Sequence, residues 1–330
     1  MDQQPTFKFD FQRITHAEEF TQPTFFITQE VTQLAPGPAL TSLETLMMPE
    51  LIFTRVQQFT LMRTQQHFKG SGIHLIVPYD VDHIAFKWCS NVGAPGEIAI
   101  GPQLGDFEML SPPGGKGYFI HLSQALAGEM NWLVSDKYWF RPHPDSLQAL
   151  LSCCHALANA LPTADQLIDP LFPLLQRNRL LAHLKEVLDA HFAMQLEQRS
   201  PVNATASRYN QILKEAIALS DYYEERGEAL TVSQLADSVG VTPRTINRAF
   251  QFWAGLSAER FFLCKRLNRV RQQLTQSRLG RGRITRAFSD HGFTHLSRAS
   301  QFYSELFGEL PRETRYRDLD ALRRLNVNFL

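Results

Sequence analysis

The sequence has 330 residues, of which 44% are hydrophobic and 20% are charged, with no net charge at pH 7. A chain of this length and composition can bury a large core and is expected to form two domains. It contains no run of about 18 consecutive apolar residues, so we expect no membrane span and a cytoplasmic location.

The zero net charge conceals an asymmetry along the chain. Residues 201–330 contain 20 Lys and Arg against 13 Asp and Glu, whereas residues 1–200 contain 13 against 20. Between Arg244 and Arg286 there are eleven basic residues and one acidic residue, Glu259. Such a density is typical of a surface that displaces counterions from phosphates. A merely solvated helical face would more often interleave Glu among the Arg residues.

The first predicted elements are short β-prone runs between about residues 20 and 125, separated by Gly and Pro turns. The runs begin at Thr24, Leu51, Gly72, His83, Gly96, Asp106 and Tyr118. This spacing predicts an antiparallel barrel or sandwich of a cupin-like kind, and not alternating strands and helices. The sequence PPGGKG at 112–117 lacks the spacing of a phosphate-binding loop and is predicted to be a tight turn between two strands.

A strand-rich domain of this size can enclose a small effector, and we name Trp88, Phe119 and His121 as candidate pocket residues. The alternative is that aromatic residues at strand spacing are core packing. Scattered histidines lie on or beside the strands, but the tight HxH pair with a following carboxylate that a cupin-like metal site uses is absent. We therefore predict no metal site and no cofactor. The histidines are His67, His74, His83 and His121.

A helical pattern follows over about residues 145–197. Leu174, Leu181, Leu184 and Leu188 recur at spacings of seven, three and four, which places them along one side of a helix. This stripe can pack on the chain's own sheet or on a second copy of the chain. We name it as a candidate homodimer contact.

A loop rich in Ser, Pro, Asn and Thr at 199–207 marks the predicted domain boundary. We therefore divide the chain into an N-terminal sensing or dimerising domain, residues 1–200, and a C-terminal domain, residues 208–320. Beyond the loop the pattern is helical almost throughout.

The strongest motif lies near the start of the C-terminal domain. Thr231 and Gln234 have the spacing of a capping box, and Gly240 supplies a turn where a residue without a Cβ can take a positive φ. Thr242 is predicted to cap a second helix that has Pro243 in its first turn. The arrangement predicts a helix-turn-helix unit.

The second helix of this unit is amphipathic, with Ile246, Ala249, Phe250 and Trp253 at inward positions. In a major groove Arg can pair bidentately with guanine, Asn can pair with adenine, and Thr can meet base edges or a phosphate. The outward positions therefore have the chemistry of a recognition helix. They are Arg244, Thr245, Asn247 and Arg248, which we assign to base reading, and Gln251.

A second copy of the pattern follows at an offset of 52 residues at the turn and 53 beyond it, with Gly292 matching Gly240. We expect the extra residue to enter the second recognition helix. The two units are placed at about 231–254 and 283–308, joined by a helix over about 257–275. Two units in one chain predict contacts with successive major grooves about 34 Å apart.

A resemblance to a known family rests on three features together: the repeat, the linker helix and the glycines. The C-terminal region resembles the AraC/XylS family of transcription regulators, and its GFTHLS stretch is similar to the GFWHLGRF variant of regulators such as the ethanolamine-utilisation activator. The resemblance covers about the last 120 residues strongly; before residue 200 it rests on TQLAPGP near Thr32 and on strands followed by helices. The positions that carry it are Arg266, Leu267, Gly292, Phe293, Phe307, Gly308, Leu310 and Pro311.

The resemblance implies a DNA-binding regulator, an activator more often than not, that contacts double-stranded promoter DNA and RNA polymerase. It implies base reading by Ser297, Arg298 and Gln301 in the second unit. Phe288 and Ala299 depart from the family's small and large residues, and Gln301 stands where Arg is common, so we expect weaker or less selective binding by this unit. Expected phosphate contacts are Thr231, Gln251, Lys265, Arg269, Thr294 and His295, with pairing to a neighbouring acidic helix as the alternative for Lys265 and Arg269.

No motif predicts catalysis, since GxSxG, HExxH and the phosphate-binding loop are all absent, and we predict that the chain is not an enzyme. Two alternatives to an effector-binding regulator stay open. One is a dimeric regulator that senses no ligand. The other, more remote, is a barrel-domain enzyme with a helical appendage.

Overall fold

The computed structural model describes residues 8–14, 27–37, 39, 41–58, 60–68, 72–79, 86–88, 91–102, 105–132, 134, 138–160, 171–195, 204–226, 228–276 and 282–314. Within these residues the N-terminal part consists of two β-sheets with helices on one side, and the C-terminal part is helical.

Most of the N-terminal part is β-strand. The strands are β1 (Lys8–Ile14), β2 (Ile27–Gln33), β3 (Thr41–Met48), β4 (Leu51–Gln58), β5 (Met62–Phe68), β6 (Gly72–Tyr79), β7 (Lys87–Trp88), β8 (Asn91–Val92), β9 (Ile98–Pro102), β10 (Gly105–Ser111), β11 (Lys116–Ser123) and β12 (Tyr138–Phe140). Its helices are α1 (Gln124–Glu129), α2 (Pro144–Ala160) and α3 (Leu171–Gln195).

The strands form a large sheet in the order β1-β3-β4-β11-β6-β9-β12 and a small sheet in the order β2-β5-β10-β7-β8. The pairings are antiparallel, with His121 opposite His74 where β11 meets β6. Successive side chains point to opposite faces, so His74 and Ile76 of β6 face the small sheet while Ile73 and Leu75 face the helices.

Helices α2 and α3 cover the outer face of the large sheet. Leu181, Leu184 and Leu188 of the predicted stripe are buried in one core with β6, β11 and α2. The stripe therefore packs on the chain's own sheet, and Leu181, Leu184 and Leu188 have no surface left for a second copy, while a homodimer contact elsewhere on this helix stays a prediction.

The C-terminal part is built around the long helix at Ala258–Gln276. Its helices are α4 (Ala204–Glu224), α5 (Val232–Val239), α6 (Pro243–Ala254), α7 (Ala258–Gln276), α8 (Arg283–Asp290) and α9 (Leu296–Phe307). Phe250 of α6, Leu267 of α7 and Tyr303 of α9 belong to the same buried cluster, which also includes residues of α4. Both two-helix units therefore share one core.

The observed architecture confirms the predicted fold class of a β-rich part with helices followed by tandem helix-turn-helix units. Strands β1 and β3 were not predicted, and the run beginning at His83 is observed only as β7, since residues 80–85 lie outside the described residues. Part of the predicted boundary loop, residues 196–203, lies outside them too, and α4 begins at Ala204 instead of after residue 207.

The turn at 112–117 does join two strands, β10 of the small sheet and β11 of the large one. Gly114 takes a φ of 75° there, and the Gly115 N–H donates to the Pro112 carbonyl at 3.1 Å. Among the described residues, no helix has the length and apolar composition that a membrane span requires.

Candidate nucleic-acid interface

The first unit has the caps and the turn that its sequence predicts. Thr231 and Gln234 form a reciprocal capping box at the start of α5, and Gly240 ends that helix with a φ of 73°. Thr242 then caps α6, accepting a hydrogen bond from the Thr245 N–H at 3.2 Å. These local contacts fix the turn between α5 and α6.

Helix α6 buries its apolar face and exposes its basic one. Ile246 and Phe250 are fully buried, whereas Arg244 and Arg248 are exposed. Thr245 is half-buried, and its hydroxyl lies 2.9 Å from that of Thr242. The arginines are thus available to a ligand on the outer face of the helix.

Asn247 has a different role from the one predicted. Its side-chain amide donates to the Pro243 carbonyl at 3.1 Å, and its oxygen accepts from the Ala258 N–H at 3.0 Å. Both ends of the amide are therefore engaged within the protein, and the side chain is half-buried. Asn247 caps the start of α7, so the predicted contact with adenine does not fit this structure.

The second unit repeats the helices but not the turn. Helices α6 and α9 both have 12 residues, and the additional residue of the second unit lies between Gly292 and Leu296. The expectation that it enters the recognition helix is wrong. His295 occupies the N-cap of α9 without a side-chain hydrogen bond, unlike Thr242 of the first unit.

Helix α9 also separates a buried face from an exposed polar one. Ala299 and Tyr303 are buried, whereas Ser297, Arg298 and Gln301 are exposed. The structure thus places the three predicted base-reading residues of this unit on one accessible surface. It also leaves exposed the predicted phosphate contacts Thr231, Gln251, Thr294 and His295.

Lys265 and Arg269 do not lie on that surface. The Lys265 ammonium is buried, 2.8 Å from an Asp221 oxygen and 3.2 Å from a Glu224 oxygen, and Arg269 forms ion pairs with the same two carboxylates. The phosphate contact predicted for both does not fit, because their charges are neutralised inside the domain. The alternative pairing with an acidic helix, α4, is the one observed.

Other basic residues of this segment are internal too. Arg271 is buried, 2.9 Å from Glu309, and its guanidinium lies over the Phe307 ring. Arg283 donates to the Thr314 carbonyl at 2.7 Å. The basic residues of this segment are therefore only partly exposed at the surface. Arg286, on α8, is exposed; it ends the basic segment seen in the sequence but was not named there as a contact.

The small sheet contacts the C-terminal end of the first recognition helix through Lys87. Its ammonium donates to the Trp253 carbonyl at 2.7 Å and to the Phe252 carbonyl, and it lies 5.3 Å from the centre of the Phe252 ring. Desolvation lowers the pKa of Lys87 to about 8. A cation at a helix C-terminus is favourable because the last carbonyls carry partial negative charge.

Gln33, at the end of β2, contacts the C-terminal end of the second recognition helix. It is buried, and its side-chain amide donates to the Leu306 carbonyl at 2.9 Å, which also accepts from the Gly37 N–H at 3.0 Å. The Gln33 backbone N–H donates to the Asn268 side-chain oxygen at 3.0 Å, and the Asn268 side-chain amide donates to the Gln33 carbonyl at 2.9 Å. The N-terminal part thus touches α6, α7 and α9. No local sequence pattern pointed to these contacts.

The predicted pocket residues come together around His74 between the two sheets. The His74 ring lies 5.8 Å from Trp88, 5.7 Å from Phe119 and 4.3 Å from His121, measured between ring centroids. Burial lowers the pKa of His121 to about 3 and that of His74 well below its ordinary value, which favours the neutral form of both rings. Trp88 is fully buried, so the cluster is packed as core.

Comparison with known proteins assigns the helical region. The family described as "Helix-turn-helix domain" matches residues 235–317, which include part of α5 and all of α6 to α9. The XylDLEGF operon transcriptional activator of Pseudomonas putida is 29% identical over 85 residues, covering 26% of each chain. The regulator GbdR of Pseudomonas aeruginosa is 33% identical over 118 residues, covering 36% of this chain and 31% of GbdR.

Among solved structures, a transcriptional regulator from Chromobacterium violaceum with an AraC-type DNA-binding domain is 29% identical, with a TM-score of 0.29, covering 36% of this chain and 96% of that one. The alignments with the two curated regulators span only about a quarter to a third of their length. These relatives are transcriptional regulators, not enzymes. The matched residues therefore form a helix-turn-helix domain that is similar to part of these transcriptional regulators.

Proposed function

We propose that the whole chain is a transcription regulator that binds double-stranded promoter DNA with α6 and α9. The observation that carries the proposal is the pair of recognition helices, each with its apolar side in a shared core and its polar side exposed. The proposed base contacts are Arg244, Thr245, Arg248, Ser297, Arg298 and Gln301.

Phosphate contacts are assigned to exposed side chains alone, because Lys265 and Arg269 form ion pairs with Asp221 and Glu224 inside the domain. The proposed residues are Thr231, Gln251, Arg286, Thr294 and His295. Contacts of this kind position a protein on DNA without selecting a sequence. The domain boundaries at about 1–200 and 208–320 are part of the same proposal.

The N-terminal part is proposed to regulate DNA binding, because it contacts the ends of both recognition helices. Activation of transcription with RNA polymerase is the favoured outcome, since matched relatives are named transcriptional activators. Regulation without an effector, as a dimer, is the second candidate, with a dimer contact other than the α3 stripe. The finer resemblance to the ethanolamine-utilisation activator stays a prediction.

Binding sites selected from a random DNA library, followed by fluorescence anisotropy, test the proposal. We expect Arg248→Ala to weaken binding to the selected site by about 1 to 3 kcal/mol, or roughly 5- to 150-fold, and to relax selectivity at one base pair. A bidentate Arg contact to a base accounts for both effects.

Arg179→Ala is the matched control, since it removes the same charge from an exposed position on α3. We expect it to leave affinity and selectivity unchanged. Equal losses for the two variants, or a loss at Arg248 that is the same on every DNA sequence, would contradict base reading by α6.

A further inference from the structure

A cavity of about 150 Å³ lies at the edge of the N-terminal part, between the loop 93–96 and helix α2. It borders the packed cluster around His74, since Phe86 and Trp139 pack in the same core as Trp88 and Phe119. The cavity is lined by apolar residues. Three of them are aromatic, Phe86, Tyr79 and Trp139, and the lining also includes Pro78, Leu147 and Leu151.

The loop that forms one wall is held in place by its neighbours. Ala94 donates its N–H to a Glu97 carboxylate oxygen at 2.8 Å, and Arg141 donates to the Pro95 carbonyl at 3.4 Å. The Trp139 ring lies flat against Gly93, where an added Cβ would come within 2.6 Å of the ring. The cavity therefore has a fixed backbone wall that meets a large aromatic surface.

The same segment reaches the first recognition helix. The Gly93 N–H donates to the Phe86 carbonyl at 2.9 Å, so the cavity wall and the start of β7 are hydrogen-bonded. The next residue, Lys87, is paired with Val92 of β8 and donates to the Trp253 carbonyl at the end of α6. A residue of the cavity wall, Phe86, is thus directly followed in the chain by the residue that contacts the DNA-binding domain.

We propose that this cavity binds a small molecule with a single aromatic ring, and that its occupancy changes DNA binding through Lys87. A cavity of about 150 Å³ that is lined by apolar side chains can accept a molecule the size of benzene. Aromatic walls favour a flat ring through offset or edge-to-face contacts. The second half of the proposal rests on the proposed DNA-binding function.

Toluene is a suitable probe for the cavity alone, and calorimetry on the intact protein measures its binding. We expect a dissociation constant below about 1 mM, within what a ligand of this size can reach. Ala94→Trp and Leu151→Phe place new ring atoms in the cavity from two sides, and both should weaken toluene binding at least tenfold. Ala156→Trp, at an exposed position on the same helix as Leu151, should leave it unchanged.

The link to DNA is measured by fluorescence anisotropy with the selected site, with and without saturating toluene. We expect the dissociation constant for DNA to change at least fivefold, a typical coupling between two sites. In Lys87→Met, which keeps the length of the side chain but not its ammonium, toluene should still bind while the change in DNA affinity disappears.

Failure of the cavity as a site and failure of the proposed function give different results. If toluene does not bind the unaltered protein, or binds the two cavity-filling variants equally well, the site is overturned even when the same protein binds DNA. A DNA response that persists in Lys87→Met overturns the route through β7. Absence of sequence-specific DNA binding in any condition overturns the proposed function, while calorimetry still decides whether the cavity is a site.

Discussion

At the scale of single residues, the type of a side chain in the C-terminal domain did not determine its role. Arg248 and Lys265 both belong to the basic segment, yet the first is exposed and the second is buried between Asp221 and Glu224. A buried charge must be paired, because an isolated one costs several kcal/mol of desolvation. Lys265 therefore contributes to folding, and its loss should not resemble the loss of a DNA contact.

Lys265→Met is expected to destabilise the protein by about 3 kcal/mol, since it leaves two carboxylates with Arg269 as their remaining partner. Urea unfolding measures the loss. The salt dependence of DNA binding, compared under conditions where the variant is folded, should keep its slope because no phosphate contact is removed. Lys214→Met, at an exposed position on α4, is the control and should change stability by less than about 0.5 kcal/mol. A flatter salt slope for Lys265→Met would show that Lys265 meets phosphate after all.

At the scale of the elements, the two helix-turn-helix units differ in how their recognition helices begin. Thr242 satisfies a backbone N–H at the start of α6, whereas His295 makes no such bond at the start of α9. An N-cap side chain contributes roughly 1 kcal/mol to a helix. The first turn of α6 is thus better held than that of α9.

Thr242→Ala should therefore destabilise α6 by about 1 kcal/mol, and His295→Ala should leave α9 nearly unchanged. Amide hydrogen exchange of each helix measures the effect locally. The expected result is faster exchange in the first turns of α6 alone. Comparable acceleration in both helices would mean that His295 caps α9 in solution.

The core of the second unit also explains part of its unusual sequence. Phe288 is larger, and Ala299 smaller, than the residues that the resemblance implies at these positions, and both are buried in the same core. The Phe288 ring packs against Phe293 and Tyr303, with centroids 5.5 and 6.0 Å away. Opposite changes in volume within one core are tolerated better than either alone.

The elements that the sequence predicted well are those with local signals. Capping residues, a turn glycine and a 3.6-residue apolar period lie within one helix pair, so α5 and α6 were predicted nearly to their ends. Strand β3, in contrast, was missed although Pro38 and Pro49 flank it, because its polar and apolar residues do not alternate strictly. The side of α3 that faces the sheet was clear from its periodicity, but its partner was not, because a stripe does not specify what covers it.

At the scale of the whole molecule, contacts with α6, α7 and α9 join the N-terminal part to the C-terminal part. Gln33 contacts the end of α9 and the middle of α7, and Lys87 contacts the end of α6. Gln33 and Asn268 are 235 residues apart in the sequence, which is why no periodicity or motif could have predicted their pairing. The relative placement of the two recognition helices is thus linked to the N-terminal sheets.

Lys87 offers a direct measure of whether these parts are docked in solution. Burial lowers its pKa from 10.5 to about 8 in the docked arrangement. Between these two pH values an undocked Lys87 binds more protons than a docked one, so docking is favoured as pH rises through this window. Below about pH 8 the ammonium is charged in both arrangements, and the free energy of desolvating it opposes docking in full.

The titration of Lys87 can be followed by ¹³C NMR of lysine side chains, of which the sequence has eight. We expect one resonance to titrate near pH 8 and to be missing in Lys87→Arg. In the double variant Gln33→Ala, Asn268→Ala, which removes the Gln33–Asn268 pairing and the side-chain bond to the Leu306 carbonyl, the Lys87 midpoint should move toward 10.5. If Lys87 titrates near 10.5 in the unaltered protein, it is exposed to solvent, and the N-terminal part does not hold α6 in the absence of DNA.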